Sequence, residues 1–409
     1  MNGVSANCPQ WLIDRIANSG GNISFYQYMD WSLNDADYGA YSTGRLQIGP
    51  KGDFATSPSL GSDFAELVAL QVVDWLQQLQ RKNVDKYPLS LIEFGPGEGD
   101  FAFSLIRSIT QTNPELIDNL ELIMVEKNKA MIERQKECLR NIKNISIRWL
   151  TFEELISKPA VGIIIAHEVL DAFPVERIVF RDQQLFRQGV KLEYQGTEPF
   201  LTFSEMPLCD GLNDSLLDIN NSLGIRIPPA GVKEGWCSEY HKDVEPWLKK
   251  VSKALIYGSL LIIDYCLEAS RYYSCSRQSG TLISYRNQSA SNQVLKYPGY
   301  CDITSHLCLE TLIFFARKSN WHFLGHVRQG QALLALGLAE RLNSLRNLAN
   351  NQLDIALKRR ETLLRLVDPQ CLGEFRWLAF ELNNESTINI SNLPIGLKSK
   401  FLSTSPEYD

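Results

Sequence analysis

The stretch Leu91-Ile92-Glu93-Phe94-Gly95-Pro96-Gly97-Glu98-Gly99-Asp100 decides how this chain folds. It joins an apolar run, Leu89 to Phe94, to a helical one, Phe101 to Ile109. Alternating glycines exceed what a plain strand-to-helix turn needs. They let the backbone adopt positive φ angles and pass close to a nucleotide-like ligand, where a Cβ would stand in the way. The acid at the strand end, Glu93, can pair with an amino group or with ribose hydroxyls.

Outward from this loop the same pattern repeats. Leu120 to Val125, Ile145 to Trp149, Val161 to Ala166 and Ser259 to Ile263 are short apolar runs, and Ala130 to Asn141 reads as a helix between two of them. Short Ile/Val/Leu-rich runs separated by helices predict a parallel sheet covered on both faces. In such sheets ligands bind beyond the carboxyl ends of the strands. The residues at those ends are therefore the candidates for chemistry. Glu126 ends the second run and suits acceptance from ribose hydroxyls. His167, Glu168 and Asp171 follow the fourth, where carboxylates can hold a cationic acceptor through paired N–H···O bonds and His167 can take a proton. Asp264 ends the fifth and would orient the substrate, shape the pocket wall or cap a helix.

Two ligands compete for the glycine loop. A dinucleotide fingerprint can be read at Gly97, Gly99 and Ala102 with Glu126 as the ribose acid, which would make an NAD(P)-dependent oxidoreductase. Glu93, two residues before the first glycine, would repel a pyrophosphate. S-adenosylmethionine lacks phosphate and carries an ammonium and a sulfonium, so the charge pattern favours it.

Before the sheet, residues 1–85 read as a helical amino-terminal cap. Ile23 to Leu33 and Asp63 to Arg81 are amphipathic, and between them lies a long Gly/Asp/Pro-dense loop, Asn34 to Gly61, that contains Tyr38, Tyr41, Asp53 and Phe54. Loops beyond about 12–15 residues tend to be lids or binding loops. Residues 86–383 hold the sheet, with insertions at about 178–230, read as antiparallel hairpins, and at about 266–300. A helix is expected from Thr304 to Ser319, a strand at His322 to Arg328, two helices near 330–348 and 350–366, and a last strand near Phe375 to Leu382. Residues 384–409 read as a loose tail.

Composition narrows the classes. Lys plus Arg is 41 and Asp plus Glu 47, a net charge of −6, with 44% hydrophobic and 22% charged residues. These values exclude wholesale disorder and a strongly basic nucleic-acid binder. The most apolar stretches, Val161 to Ala166 and Ala254 to Ile263, fall short of the roughly 18–20 residues of a membrane helix. Nine cysteines without a C-x-x-C pair read as a reduced, intracellular set, and the start lacks a signal or organelle presequence pattern, so a cytoplasmic protein is expected. His322 and His326 have no third ligand, and no metal is expected.

With these segments in place the chain resembles the MidA-like family of S-adenosylmethionine-dependent methyltransferases, which includes a mitochondrial complex I assembly factor that methylates an arginine of a core subunit. The resemblance rests on Ile23 to Met29, Asp37 to Ser42, Gly52-Asp53-Phe54-Ala55-Thr56-Ser57-Pro58, the Glu93 to Gly99 loop, Glu168 to Val175, Asp264-Tyr265, Asp302-Ile303-Thr304-Ser305-His306 and Gly373-Glu374-Phe375. It departs from the family pattern at Ser59, His167 and Cys266.

The resemblance implies an α/β class I methyltransferase with a Rossmann-like sheet, a helical amino-terminal cap, inserted β-hairpins and extra carboxyl-terminal helices. It implies that Glu93, Gly95, Gly97, Gly99 and Glu126 bind S-adenosylmethionine, that the Gly52-Asp53-Phe54 loop closes over it, and that Glu168 and Asp171 line the acceptor site. The partner would be a protein substrate, by analogy a complex I-type subunit. A non-catalytic assembly chaperone with the same fold is the alternative from a different class.

Overall fold

The computed structural model describes residues 8–47, 49, 52–53, 56–81, 88–347, 350–383 and 397–403. At its centre lie the strands β1 (Leu89–Phe94), β2 (Leu120–Val125), β3 (Ser146–Leu150), β4 (Ala160–His167), β5 (Leu255–Asp264), β6 (His322–Arg328) and β7 (Arg376–Asn383). They form one seven-stranded sheet in the order 3-2-1-4-5-7-6. Strands β1 to β5 run parallel, and β7 lies antiparallel between β5 and β6. Every residue of β1 and β5 is buried. That is why both read as continuous apolar runs rather than alternating ones.

Successive side chains of these strands feed two different cores. Leu91, Ile163 and Leu261 belong to one face, and Ile92, Ile164 and Leu260 to the other. Of the helices α1 (Phe25–Asn34), α2 (Ser62–Arg81), α3 (Asp100–Thr112), α4 (Lys129–Leu139), α5 (Val244–Val251), α6 (Leu309–Lys318) and α7 (Leu353–Val367), all but α1 flank this sheet. Helices α2 and α3 cover the first face through Leu67, Val68, Leu105 and Ile106. Helices α5 and α6 cover the second through Trp247, Leu248, Leu312 and Phe315. No described helix is long and apolar enough to cross a membrane.

The cap and the first insertion are one structure. Asn22–Ser24 pairs with residues 189–191 of the strand Gln184–Gln195, so the amino terminus becomes an edge of the inserted sheet. Ser24 then caps α1, its Oγ accepting the Gln27 N–H at 3.1 Å. Phe25, Tyr28, Met29 and Leu33 on one face of α1 bury against Val175, Val190, Leu282 and Ile303. A third core thus joins cap and both insertions beyond β4 and β5.

Several expected boundaries move. The first insertion is not hairpins alone, since Asp210–Leu223 is a helix with Leu212, Leu216 and Ile219 buried. The helix expected from Thr304 starts at Leu309, because Asp302–Thr304 is drawn into a strand against Ile283–Arg286. Among the described residues near 330–367 there are three α-helices, Gln329–Ala335, Leu338–Ser344 and α7, and Gly337, at φ 93°, separates the first two. The expectation of a loose tail fails for its described part. Phe401 is fully buried, with Trp75 and Trp377 at 6.1 and 5.5 Å, and its N–H donates to Gln71. Leu397 and Phe401, both buried, anchor it, with Leu402 packed beside them.

Candidate active site

The loop after β1 carries three positive φ angles, 61° at Gly95, 51° at Gly97 and 93° at Gly99. At Gly95 a Cβ would also stand 3.0 Å from Val169 Cγ2, a residue of the turn after β4. The two turns therefore approach each other beside the cleft. Glu93, only 6% exposed, keeps Oε2 buried without a partner. Burial pushes its carboxyl up to about 8.

Behind the loop, Gln135 of α4 holds several parts in register. Its Nε2 donates to the Gly97 carbonyl at 2.8 Å and lies 3.4 Å from Glu126 Oε2, and its Oε1 accepts the Trp149 indole N–H at 2.9 Å. Glu126 sits just past β2, its Oε1 accepting the N–H groups of Lys127 and Asn128. Asn128 caps α4 and donates Nδ2 to the carbonyls of Tyr41 and Ser42. The amino-terminal loop is thereby pinned to the start of α4, two residues from Glu126.

The turn after β4 is shaped by Asp264. This fully buried carboxylate accepts the N–H groups of Val169, Leu170 and Asp171 on Oδ2 and that of Tyr265 on Oδ1. It does not line the cavity; of the expected roles, it shapes the wall from behind. Glu168 adopts φ 52°, and its N–H donates to the Ile263 carbonyl. Its Oε1 accepts the Ser57 N–H at 3.4 Å and lies 3.4 Å from His167 Nε2.

Asp171 and Asp302, 5% and 2% exposed, complete an acidic wall, and the Tyr41 hydroxyl donates to Asp302 Oδ1 at 2.8 Å. Burial, then the Asp264 charge, pushes Glu168 and Asp171 well above the usual carboxylate range, and burial pushes Asp302 up to about 6. His167 packs among the rings of Phe64, Phe101 and Phe375 at 5.3, 5.9 and 6.3 Å. Burial there pushes its imidazole down to about 3. It is neutral at physiological pH and a poor proton acceptor, which corrects the role expected for it.

One cavity of about 1090 Å³ unites these groups. Glu93, Gly95, Gly97, Glu126 and Asn128 line one part, Glu168, Asp171, Asp302, Tyr265 and Tyr285 another, and Phe152, Phe173 and Trp247 supply an aromatic wall. Asp53 also lines it, and stitches the long loop to the second insertion by accepting the Asn287 and Gln288 N–H groups on Oδ1 and its carbonyl. Gly52 turns tightly there, since a Cβ would meet the Gln47 carbonyl at 2.0 Å. Phe54 lies outside the described residues. Sequence reading missed Gln135, Asn128, Tyr41 and Asp302 as site residues. The last two stand in segments that were singled out, but nothing local says that they meet.

The residues fit S-adenosylmethionine. A buried, unpartnered carboxylate oxygen at Glu93 suits an ammonium, the glycine backbone leaves room, and Glu126 stands where ribose hydroxyls would be received. Sheet order, glycine loop and strand-end acids together define a class I S-adenosylmethionine-dependent methyltransferase. Residues 67–327 match the family described as "Putative S-adenosyl-L-methionine-dependent methyltransferase". The chain belongs to this MidA-like family, and S-adenosylmethionine is its cofactor. The oxidoreductase alternative falls with that match.

The fold is that of a Burkholderia thailandensis methyl transferase-like protein solved with S-adenosyl-homocysteine, at a TM-score of 0.79 and 23% identity over 99% of this chain and 97% of that one. The chain is 24% identical to the Caenorhabditis elegans protein arginine methyltransferase NDUFAF7 homolog, mitochondrial, covering 96% of this chain and 90% of the relative. It is 23% identical to the human protein arginine methyltransferase NDUFAF7, mitochondrial, covering 87% and 79%. Mitochondrial stands in the names of these relatives, and this overturns the expectation of a cytoplasmic protein. That expectation rested on cysteine pattern and terminal composition, neither of which the fold constrains.

Proposed function

We propose that the chain methylates an arginine side chain of a protein partner, by resemblance a complex I-type subunit. One observation carries this reading. Three carboxylates, Glu168, Asp171 and Asp302, line the cavity that also holds the cofactor loop, and among the described residues none is paired with Lys or Arg. Gathering buried carboxylates without a counter-ion is costly, and a guanidinium would relieve that cost while accepting their geometry bidentately. The names of the relatives, protein arginine methyltransferases, agree.

S-adenosylmethionine supplies an electrophilic methyl carbon on a sulfonium. Glu93 and Glu126 would hold its ammonium and ribose ends, and the glycine loop would admit it. Glu168 and Asp171 would release their protons to solvent as the guanidinium enters and would align it for an in-line displacement, in which the N–C bond forms as the C–S bond breaks and S-adenosyl-homocysteine leaves. Tyr41 and Asp53 line the same cavity. Arginine has a pKa above about 12, so its proton leaves during or after transfer. Glu168, ionised against the guanidinium on the same cavity, is the group placed to receive it.

The test is incubation of cell extract with methyl-labelled S-adenosylmethionine, with and without the protein, followed by mass spectrometry of the labelled residue. Label on arginine that depends on the protein is expected. Label on another residue type or on a small molecule refutes the reading, as does undiminished labelling by Glu168→Gln.

A further inference from the structure

We infer that Asp302 receives the cationic acceptor together with Glu168, and that Tyr41 is a positioning residue that aims Asp302 at it. This rests on the arginine reading above.

Asp302 opens the strand Asp302–Thr304, whose alternation sends Ile303 into the third core and leaves Asp302 and Thr304 on the cavity. The antiparallel pairing of Tyr285 with Asp302, in a separate three-stranded sheet with Ile283–Arg286 at its centre, sets that register. The Tyr41 hydroxyl donates to Oδ1 at 2.8 Å. Tyr41 is itself held at both backbone ends, its N–H on the Leu33 carbonyl at 3.0 Å and its carbonyl on Asn128 Nδ2 at 3.2 Å. The ring is thus aimed from the cofactor side towards the acceptor side.

A plain tie between cap and insertion is the competing account, and two observations weigh against it. Asp53 already makes that tie through the Asn287 and Gln288 N–H groups. A neutral side chain would also tie without adding, beyond Asp264, one more buried carboxylate within electrostatic reach of Glu168 and Asp171. On the same cavity, His167 Nε2 has no hydrogen-bond partner, although its side chain is only 7% exposed. The wall is built for something that enters.

The groups that face Asp302 are Tyr41 and Asp53 from the amino-terminal loop, Glu168 and Asp171 from the turn after β4, and Tyr285 and Cys301 from the insertion. Asp302 is pushed up to about 6 by burial and pulled back by the Tyr41 hydroxyl. Binding of a cation should therefore strengthen as pH rises through about 6. Removing the hydroxyl should move that rise to higher pH.

The experiment titrates acetyl-arginine amide into the full chain loaded with S-adenosyl-homocysteine, in wild type, Asp302→Asn and Tyr41→Phe, between pH 5 and 8. Acetyl-citrulline amide is the neutral control. Asp302→Asn should weaken arginine-amide binding about tenfold or more, the scale of one charge-assisted hydrogen bond. Tyr41→Phe should weaken it less and shift the pH midpoint upward. S-adenosyl-homocysteine affinity should stay within about twofold in both, a change well below one such bond, which also shows that the variants are folded.

If both variants bind the amide as wild type does, with an unmoved midpoint, the inference is overturned and the arginine reading stands. If wild type binds S-adenosyl-homocysteine but treats the arginine and citrulline amides alike, the arginine reading fails and takes the inference with it.

Discussion

Glu93 is asked to be two things, a buried acid in the free chain and a carboxylate for a cationic cofactor, and Glu93→Gln separates them. Burial raises the folded carboxyl from 4.5 to about 8. An acid raised in the fold contributes stability that is full below the unfolded value and is lost as pH rises through the folded one. Between pH 5 and pH 7 the unfolded carboxyl is largely ionised while the folded one keeps its proton. Two pH units at about 1.36 kcal/mol each make roughly 2.5 kcal/mol.

Glutamine does not titrate, so the stability gap between Glu93→Gln and wild type should widen in the variant's favour by roughly 2.5 kcal/mol from pH 5 to pH 7. The assay is urea unfolding of the cofactor-free chain at both values. Glu168, Asp171 and Asp302 titrate in both proteins and cancel in the difference. S-adenosyl-homocysteine affinity should fall about tenfold at pH 7, for loss of a charge-assisted contact. A gap that is equal at the two pH values would refute the burial argument. Unchanged affinity would refute the cofactor role.

Asp264→Ala strips the acceptor from three consecutive N–H groups of the turn after β4 and should cost about 3 kcal/mol by thermal unfolding, with Asp264→Asn recovering part of it. Methyl transfer should fall further than S-adenosyl-homocysteine binding, and equal losses would mean that the turn does not serve the acceptor side. Phe401→Ala empties a fully buried site between Trp75 and Trp377 and should cost about 3–5 kcal/mol. An unchanged melting temperature would show that the end of the chain is not part of the core.

The part of the cavity proposed to hold the cofactor is legible in the sequence because its residues are local. Gly95, Gly97 and Gly99 lie within five residues of one strand end, and Glu126 ends the next strand, so chain order and the parallel pattern place them together. The acceptor half is not local. Asp302 lies 261 residues from the Tyr41 hydroxyl that binds it, and Gln135 reaches Gly97 across 38. For Asp264 the sequence leaves open the cleft, the pocket wall and a cap, because a strand-end carboxylate can face the cleft or the backbone behind it, and the fold turns it to the backbone of the turn after β4. His167 was found too, but its chemistry depends on three rings from three other elements.

What the sequence by itself determined is the run of short apolar strands, the glycine loop and the strand-end acids, hence the sheet, the fold class and the cofactor. These follow from period, sterics and charge within a few residues. Only the tertiary structure decided that cap and insertions share one core, that Phe401 returns to the body, that His167 is held neutral, and that Glu168, Asp171 and Asp302 meet on one wall. Each of these depends on burial and on contacts between distant segments, and a side chain's protonation is set by what surrounds it rather than by its neighbours in the chain.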